Sequence, residues 1–332
     1  MMSVDLLAYR IPNEASIEEL GSFKIVKNDF QKSTGFVLSN FYATKQISFE
    51  SNKQVPFDHH KYALHLNKKQ PISISKDRYI NQGKLALELM LQLGIDKVVL
   101  SRIKTCTFDT EKYWELYTKL CESYPKAFVY LISSPHFGTW IGATPETLLE
   151  SNGDMAKTMS LAGTKEVSNG LEWSSKERQE QKFVTQYITS ELKNQGTKDI
   201  NIDGPHTTTA GNIEHLRTDI SFELNKKHPL DIAKGLHPTP AVNGVPKGES
   251  TNLIKRIELE DSSQDRSLYT GYLGLVSETS SKLYVNLRCC QLTKNNAHIY
   301  VGGGYTLQSK VENEWEETES KSETLTRIFD LL

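Results

Sequence analysis

The chain has 332 residues, with 39 lysines and arginines against 41 aspartates and glutamates and a formal net charge of −2 at pH 7. So even a balance excludes a bulk electrostatic pull toward nucleic acid or an anionic membrane, and any charge that matters must be local. No stretch approaches the length of a membrane span, and the opening residues Met1, Met2, Ser3, Val4 and Asp5 lack a basic segment followed by an apolar run, so a soluble, cytoplasmic protein is expected. The four cysteines (Cys106, Cys121, Cys289, Cys290) show no CxxC spacing, which argues against a disulfide framework or a zinc site. Adjacent Cys289 and Cys290 would point to opposite faces of a strand.

In chain order, residues 77–93 are strong helix formers stopped by Gly94, and 97–103 read as a strand through Val98, Val99 and Leu100. A helix over 113–122 leads to a strand at 127–133, with shorter β segments near 139–142 and 147–150. Beyond Glu172 a long helix is expected: Ser174 with Glu177 fits a capping box, and Phe183, Val184, Tyr187, Ile188 and Leu192 recur at helical spacing. Residues 269–276, 282–289 and 297–301 are β-like, Gly302 to Gly304 form a glycine run that by itself reads as a tight turn or bulge, and a helix from about Trp315 closes the chain. Without a repeat, low-complexity tract or long linker, 1–332 is expected to be one compact unit of mixed α and β structure.

Two helices carry acids where apolar residues belong. On one, Glu177, Glu180, Val184, Tyr187 and Glu191 fall at steps of three and four; on the other, Glu314, Glu317, Lys321, Leu325, Ile328 and Leu332 do the same. Each helix therefore offers a pair of inward glutamates, and four such carboxylates would repel one another unless a cation sat between them. All-oxygen ligation suits magnesium or another hard divalent ion. Periodicity leaves other readings open: Glu177 as a simple helix cap, 312–319 as a solvated acidic face, and Lys321 as an i,i+4 partner of Glu317.

Seven segments occur in a fixed order: Gly142-Ala143-Thr144-Pro145-Glu146-Thr147-Leu148; Leu161-Ala162-Gly163-Thr164; Lys176-Glu177-Arg178-Gln179-Glu180; His215-Leu216-Arg217-Thr218; Leu236-His237-Pro238-Thr239-Pro240-Ala241-Val242; Tyr269-Thr270-Gly271-Tyr272-Leu273-Gly274; and Gly302-Gly303-Gly304 with Glu314-Trp315-Glu316-Glu317 and Lys321. The set resembles the chorismate-utilising enzymes, a family that includes isochorismate, salicylate, anthranilate and aminodeoxychorismate synthases. It covers residues 96–332, whereas residues 1–95 match poorly. The resemblance implies the α+β fold of anthranilate synthase component I and aminodeoxychorismate synthase, with large mixed and antiparallel sheets flanked by helices, and a magnesium ion gripping the ring carboxylate of chorismate. Glu180 and Glu317 would ligate it directly, and Glu177 and Glu314 directly or through water.

By the same resemblance Arg288 and Tyr269 hold the enolpyruvyl carboxylate, where a guanidinium can make two parallel charge-assisted bonds. The backbone around Gly303, the Lys321 ammonium, Gly163, Thr164 and His215 complete the substrate site. Lys97, before its Val-Val-Leu strand, is similar to the general base of isochorismate and salicylate synthases, and Glu146 to the general acid. The implied reaction adds water at C2 of the ring and expels the C4 hydroxyl with a proton from Glu146, which requires a raised carboxyl pKa and a desolvated pocket.

Ala241 stands where anthranilate-type enzymes usually carry Gly-Thr and use ammonia, so no amidotransferase subunit is expected and a monomer is. Isochorismate synthase is the leading reading. Salicylate synthase and a non-catalytic chorismate-binding protein are the alternatives. Two positions depart from the family pattern: Asn243 stands for a glycine, and Gln181 for the frequent histidine after Glu180.

Overall fold

A computed structural model describes residues 4–27, 30–52, 58–59, 61–167, 172–210 and 213–332. The opening Met1, Met2 and Ser3 lie outside the described residues. The first strands are β1 (Asp5–Arg10), β2 (Ser16–Ile25), β3 (Gly35–Ser39) and β4 (Gln46–Ser51). Helix α1 (Lys76–Leu93) begins at Ser75, whose hydroxyl accepts from the Arg78 amide, and ends at Gly94 with φ 66°, a left-handed cap that a side chain would strain. Then follow β5 (Lys97–Thr107), α2 (Tyr113–Ser123), β6 (Phe128–Ser134), β7 (Gly138–Thr144), β8 (Thr147–Asn152) and β9 (Met155–Glu166).

Helix α3 (Ser175–Asn194) opens with the expected Ser174/Glu177 capping box. After it come β10 (Lys198–Ala210), β11 (Ile213–Glu223), α4 (Pro229–Leu236), β12 (Gly244–Val245) and α5 (Lys247–Ile254), which runs into a π-helical turn at Lys255–Glu260. The chain closes with β13 (Tyr272–Val276), β14 (Ser280–Val285), β15 (Cys289–Thr293), β16 (Asn296–Thr306) and α6 (Val311–Phe329).

The strands form one 16-stranded sheet in the order β10-β11-β9-β8-β14-β13-β3-β4-β2-β1-β6-β7-β15-β16-β5-β12. Every pair of named strands is antiparallel; the parallel pairing expected of a mixed sheet is confined, among the described residues, to a bridge between Asn67 and Thr293. Strands β6, β7 and β15 are buried along their whole length because the sheet is covered on both faces. Cys289 joins the aromatic cluster of Phe128, Tyr130 and Trp140, while Cys290 joins Leu116, Ile299 and Leu325 on the other side, as adjacent strand residues must.

Three readings are corrected. The strand expected at 269–276 starts only at Tyr272, because Leu268 to Gly271 form a turn with Thr270 at φ 59°. The strand expected at 282–289 breaks after Val285, where Arg288 takes φ 49°, a costly conformation for a side-chain-bearing residue. The glycine run is neither a turn nor a bulge: Gly302, Gly303 and Gly304 pair with Ser101, Leu100 and Val99 in register.

A buried ion pair ties the strand of Lys97 to its neighbours. Arg266 donates through Nε and Nη2 to the two Glu258 oxygens at 2.7 Å each, and to the carbonyls of Val99 at 2.6 Å and Val242 at 2.9 Å. Glu258 in turn accepts from the amide and hydroxyl of Ser101. Removing one partner leaves an uncompensated charge in the core, so Arg266→Met is expected to cost about 3–5 kcal/mol. Denaturant midpoints measure this, and a loss under about 1 kcal/mol would mean the pair contributes little.

Candidate active site

One cavity lies where α3 and β9 meet β16 and α6. Glu146, Gly163, Thr164, Glu180, His215, Tyr269, Arg288 and Lys321 all face it, which brings eight of the thirteen residues singled out in the sequence onto one wall system. The rest of the lining is mostly apolar, including Val99, Leu161, Val242, Leu287 and Tyr300. Leu161 and Val242 belong to the sequence motifs and Val99 to the strand after Lys97, but none of the five is distinguishable in the sequence from a core residue.

Glu146 sits in the short connection between β7 and β8, with 3% of its surface exposed. Burial pushes its carboxyl up to about 8, against the opposing pull of the Lys97 and Lys321 ammoniums. The acid is therefore mostly protonated at neutral pH.

His215 is held neutral. Burial, then the charges of Arg288 and Lys321, bring it down to about 3. Its Nδ1 lies 3.0 Å from the Gly163 carbonyl, which can only accept, so Nδ1 carries the hydrogen. Nε2 is left as an acceptor for Arg288 Nη2 at 3.3 Å.

Arg288 also donates to the Lys321 carbonyl at 3.2 Å and the Thr324 hydroxyl at 2.9 Å. All three of these partners are neutral, and among the described residues this buried guanidinium facing the cavity is in no salt bridge, Glu317 acting on it only from a distance. Burial lowers its pKa, but an arginine stays charged in proteins, and the arrangement calls for an anionic ligand. The Lys321 ammonium, 2.9 Å from the Gly302 carbonyl and 2.6 Å from Glu317 Oε1, adds a second cation.

Lys97 and Gly303 are not on the cavity wall. Lys97 is fully buried, and its ammonium ends 2.8 Å from Glu180 Oε1, at an approach too oblique for a hydrogen bond. Access from the cavity to Lys97 is thus by way of the Glu180 carboxylate. The glycine run explains the tightness. A Cβ on Gly304 would stand 2.6 Å from Glu180 Oε1, one on Gly302 3.1 Å from the Tyr269 hydroxyl, and one on Gly303 3.1 Å from the Tyr79 hydroxyl on the opposite face.

Glu177, Glu314 and Glu317 line an adjoining cavity together with Lys176, and Thr164 borders both cavities. As they stand the glutamates are not gathered on one point: among the described residues, no three His, Cys, Asp or Glu side chains form a group that could hold a metal ion. Glu177 closes its capping box on the Ser174 amide at 3.1 Å. Glu180 pairs with Lys97, Glu314 with Lys176 at 2.6 Å, and Glu317 with Lys321. Burial, then Glu317, raise Glu314 to about 7 against Lys176, whereas Lys321 and Lys176 outweigh burial and hold Glu317 below the ordinary carboxylate range. Among the described residues, the buried Glu314 Oε2 has no hydrogen-bond partner. An orphaned carboxylate oxygen within an all-oxygen donor set fits a hard divalent cation such as magnesium.

The two departures from the family pattern have structural explanations. Gln181 Nε2 donates to the Ser160 carbonyl and hydroxyl and to the Thr218 hydroxyl, fastening α3 to β9 and β11. Asn243 bonds Lys247 and Thr251 through its side chain, and its carbonyl accepts from the Val99 amide.

The profile of the chorismate binding enzyme family matches residues 30–330. The chain belongs to that family. Isochorismate synthase EntC of Escherichia coli strain K12 is 30% identical over 250 residues, 71% of this chain and 63% of that protein, so the chain spans less than two thirds of that relative's length. The crystal structure of DhbC from Bacillus anthracis superposes with a TM-score of 0.81 at 23% identity, covering 100% of this chain and 98% of that one. Anthranilate synthase component I from Streptococcus pneumoniae gives a TM-score of 0.72 at 15% identity, covering 98% and 90%. The fold expected from the sequence motifs is the fold found. No helix among the described residues is long and apolar enough to cross a membrane.

Proposed function

We propose that this chain, as a single catalytic domain, is an isochorismate synthase that converts chorismate to isochorismate with magnesium. One observation carries the reading. A buried guanidinium that, among the described residues, is in no salt bridge shares a cavity with a carboxyl group held protonated near neutrality, which suits an anionic substrate that must lose a hydroxyl. Arg288, oriented by neutral His215 and by Thr324, binds the enolpyruvyl carboxylate, with the Tyr269 hydroxyl beside it.

Lys97 takes a proton from water as that water attacks C2 and the ring double bonds shift toward C4. Glu146 gives its proton to the departing C4 hydroxyl. The apolar lining excludes bulk water, which would otherwise compete for both groups. Magnesium would be held by Glu180 and Glu317, with Glu177 and Glu314 directly or through water, and supplies charge compensation for the ring carboxylate. Because the nucleophile is water, no amidotransferase partner is required.

The test is to incubate the protein with chorismate, with and without magnesium, and resolve the products. Magnesium-dependent isochorismate without pyruvate is expected. Salicylate with pyruvate would make the chain a salicylate synthase, and unchanged chorismate would overturn the enzymatic reading. Glu317→Gln is expected to weaken magnesium and chorismate together by about tenfold or more, since one buried charge-assisted contact is worth roughly 1.5–3 kcal/mol. Titration calorimetry would read both, and full activity without magnesium would remove the metal from the scheme.

A further inference from the structure

The acidic cluster contains its own cations, and one differs from the others. Lys97 is fully buried against Glu180 and does not line the cavity of the other three glutamates, and Lys321 also bonds the Gly302 carbonyl outside the cluster. Lys176 lines that cavity, and among the described residues its hydrogen bond is to Glu314 Oε1 at 2.6 Å, across from α3 to α6. The acidic groups that attract it are Glu314, Glu317 and Glu180, members of both glutamate pairs. It lines the same cavity as Glu177, Glu314 and Glu317, and the second Glu314 oxygen beside it is the orphaned one.

Resting on the reading of the glutamates as metal ligands, we propose that Lys176 is a tethered counter-ion of the metal site, which a divalent cation must displace from Glu314. The ammonium neutralises the carboxylates that would otherwise repel one another across the gap between α3 and α6, and so keeps the metal-free site closed and folded. The same charge repels an incoming cation and occupies the oxygen that the cation needs. Lys176 thereby sets metal affinity low and keeps the ion exchangeable, whereas an uncompensated glutamate cluster would bind the ion tightly.

The test uses the full chain without chorismate, titrated with Mn²⁺ alone while free ion is followed by electron paramagnetic resonance. Wild type is expected to bind weakly but saturably, and Lys176→Met to bind about tenfold more tightly or better, the size expected when one nearby positive charge is removed from a partly buried site. Lys176→Arg, which keeps the charge, is expected to stay within a few-fold of wild type. Thermal melts give an independent reading: Lys176→Met should melt lower than wild type without metal and gain more from added Mg²⁺. If Lys176→Met fails to fold, Lys176→Gln is expected to act in the same direction.

Binding by Lys176→Met or Lys176→Gln that is equal to or weaker than wild type would overturn the proposal and make Lys176 an orienting partner of Glu314. Absence of Mn²⁺ binding by wild type and every variant would overturn the metal reading itself, a different result from the first.

Discussion

Turnover is expected to fall by about 10²–10⁴-fold in Lys97→Ala, the range for loss of a positioned general base, while magnesium-dependent chorismate binding stays measurable. The geometry makes this a demanding test, because Lys97 is fully buried and its ammonium faces Glu180. Alanine removes the base and also strands a buried carboxylate, so stability falls with activity. Lys97→Arg separates the two effects. A guanidinium can still pair with Glu180 but does not deprotonate in proteins, so this variant should keep the ion pair and lose the base. Fluorescence quenching by chorismate with magnesium would follow binding, and product chromatography would follow turnover. Substantial activity in Lys97→Arg would remove Lys97 as the base; loss of binding together with misfolding in both variants would make the residue structural.

The second large effect concerns pH. Glu146, with its carboxyl pushed up to about 8, is the proton donor at neutral pH and ceases to be one above that value. The rate at saturating chorismate should therefore decline as pH rises through about 8, and Glu146→Gln should lose about 10²–10⁴-fold with no such limb. The sign for stability follows from the same shift. The folded state holds this proton more tightly than the unfolded chain, whose carboxyl has the ordinary value near 4.5, so the stability associated with protonation is full below about 4.5 and is lost as pH climbs to about 8. Glutamine carries no such charge. The stability of Glu146→Gln relative to wild type should rise from pH 4.5 to 8, as read from denaturant midpoints at several pH values. A pH-independent difference would mean that Glu146 titrates normally and is not the acid.

Neutral His215 belongs to the same electrostatic design. An imidazolium beside Arg288 would add a third cation to the cavity; with Nδ1 donating to Gly163, the ring instead presents an acceptor to the guanidinium. The positive φ of Arg288 marks the backbone cost of aiming that side chain inward from the break after β14.

What the sequence determined by itself was local or periodic. The helix over α1 with its Gly94 cap, the Ser174 capping box, and the inward step of Glu180 and Glu314 follow from side-chain spacing and cap chemistry, which operate within a few residues. The family motifs located eight residues that converge on one cavity although they are far apart in the chain. Tertiary structure decided the rest. Residues 5–51 supply four strands to the middle of the sheet, of which β1 and β3 are apolar runs without alternation, and β10 is a mostly exposed edge whose short alternation at Ile200 and Ile202 is interrupted at Gly204 and Pro205. The glycine run is strand because it pairs with β5, and its lack of side chains matters most at Gly304, where a Cβ would stand 2.6 Å from Glu180 Oε1 and force that side chain to move. Whether a given glutamate meets a metal, a lysine or its own helix cap depends on which charges the fold brings within a few ångströms, and Coulomb interactions at that range connect residues that no sequence spacing relates.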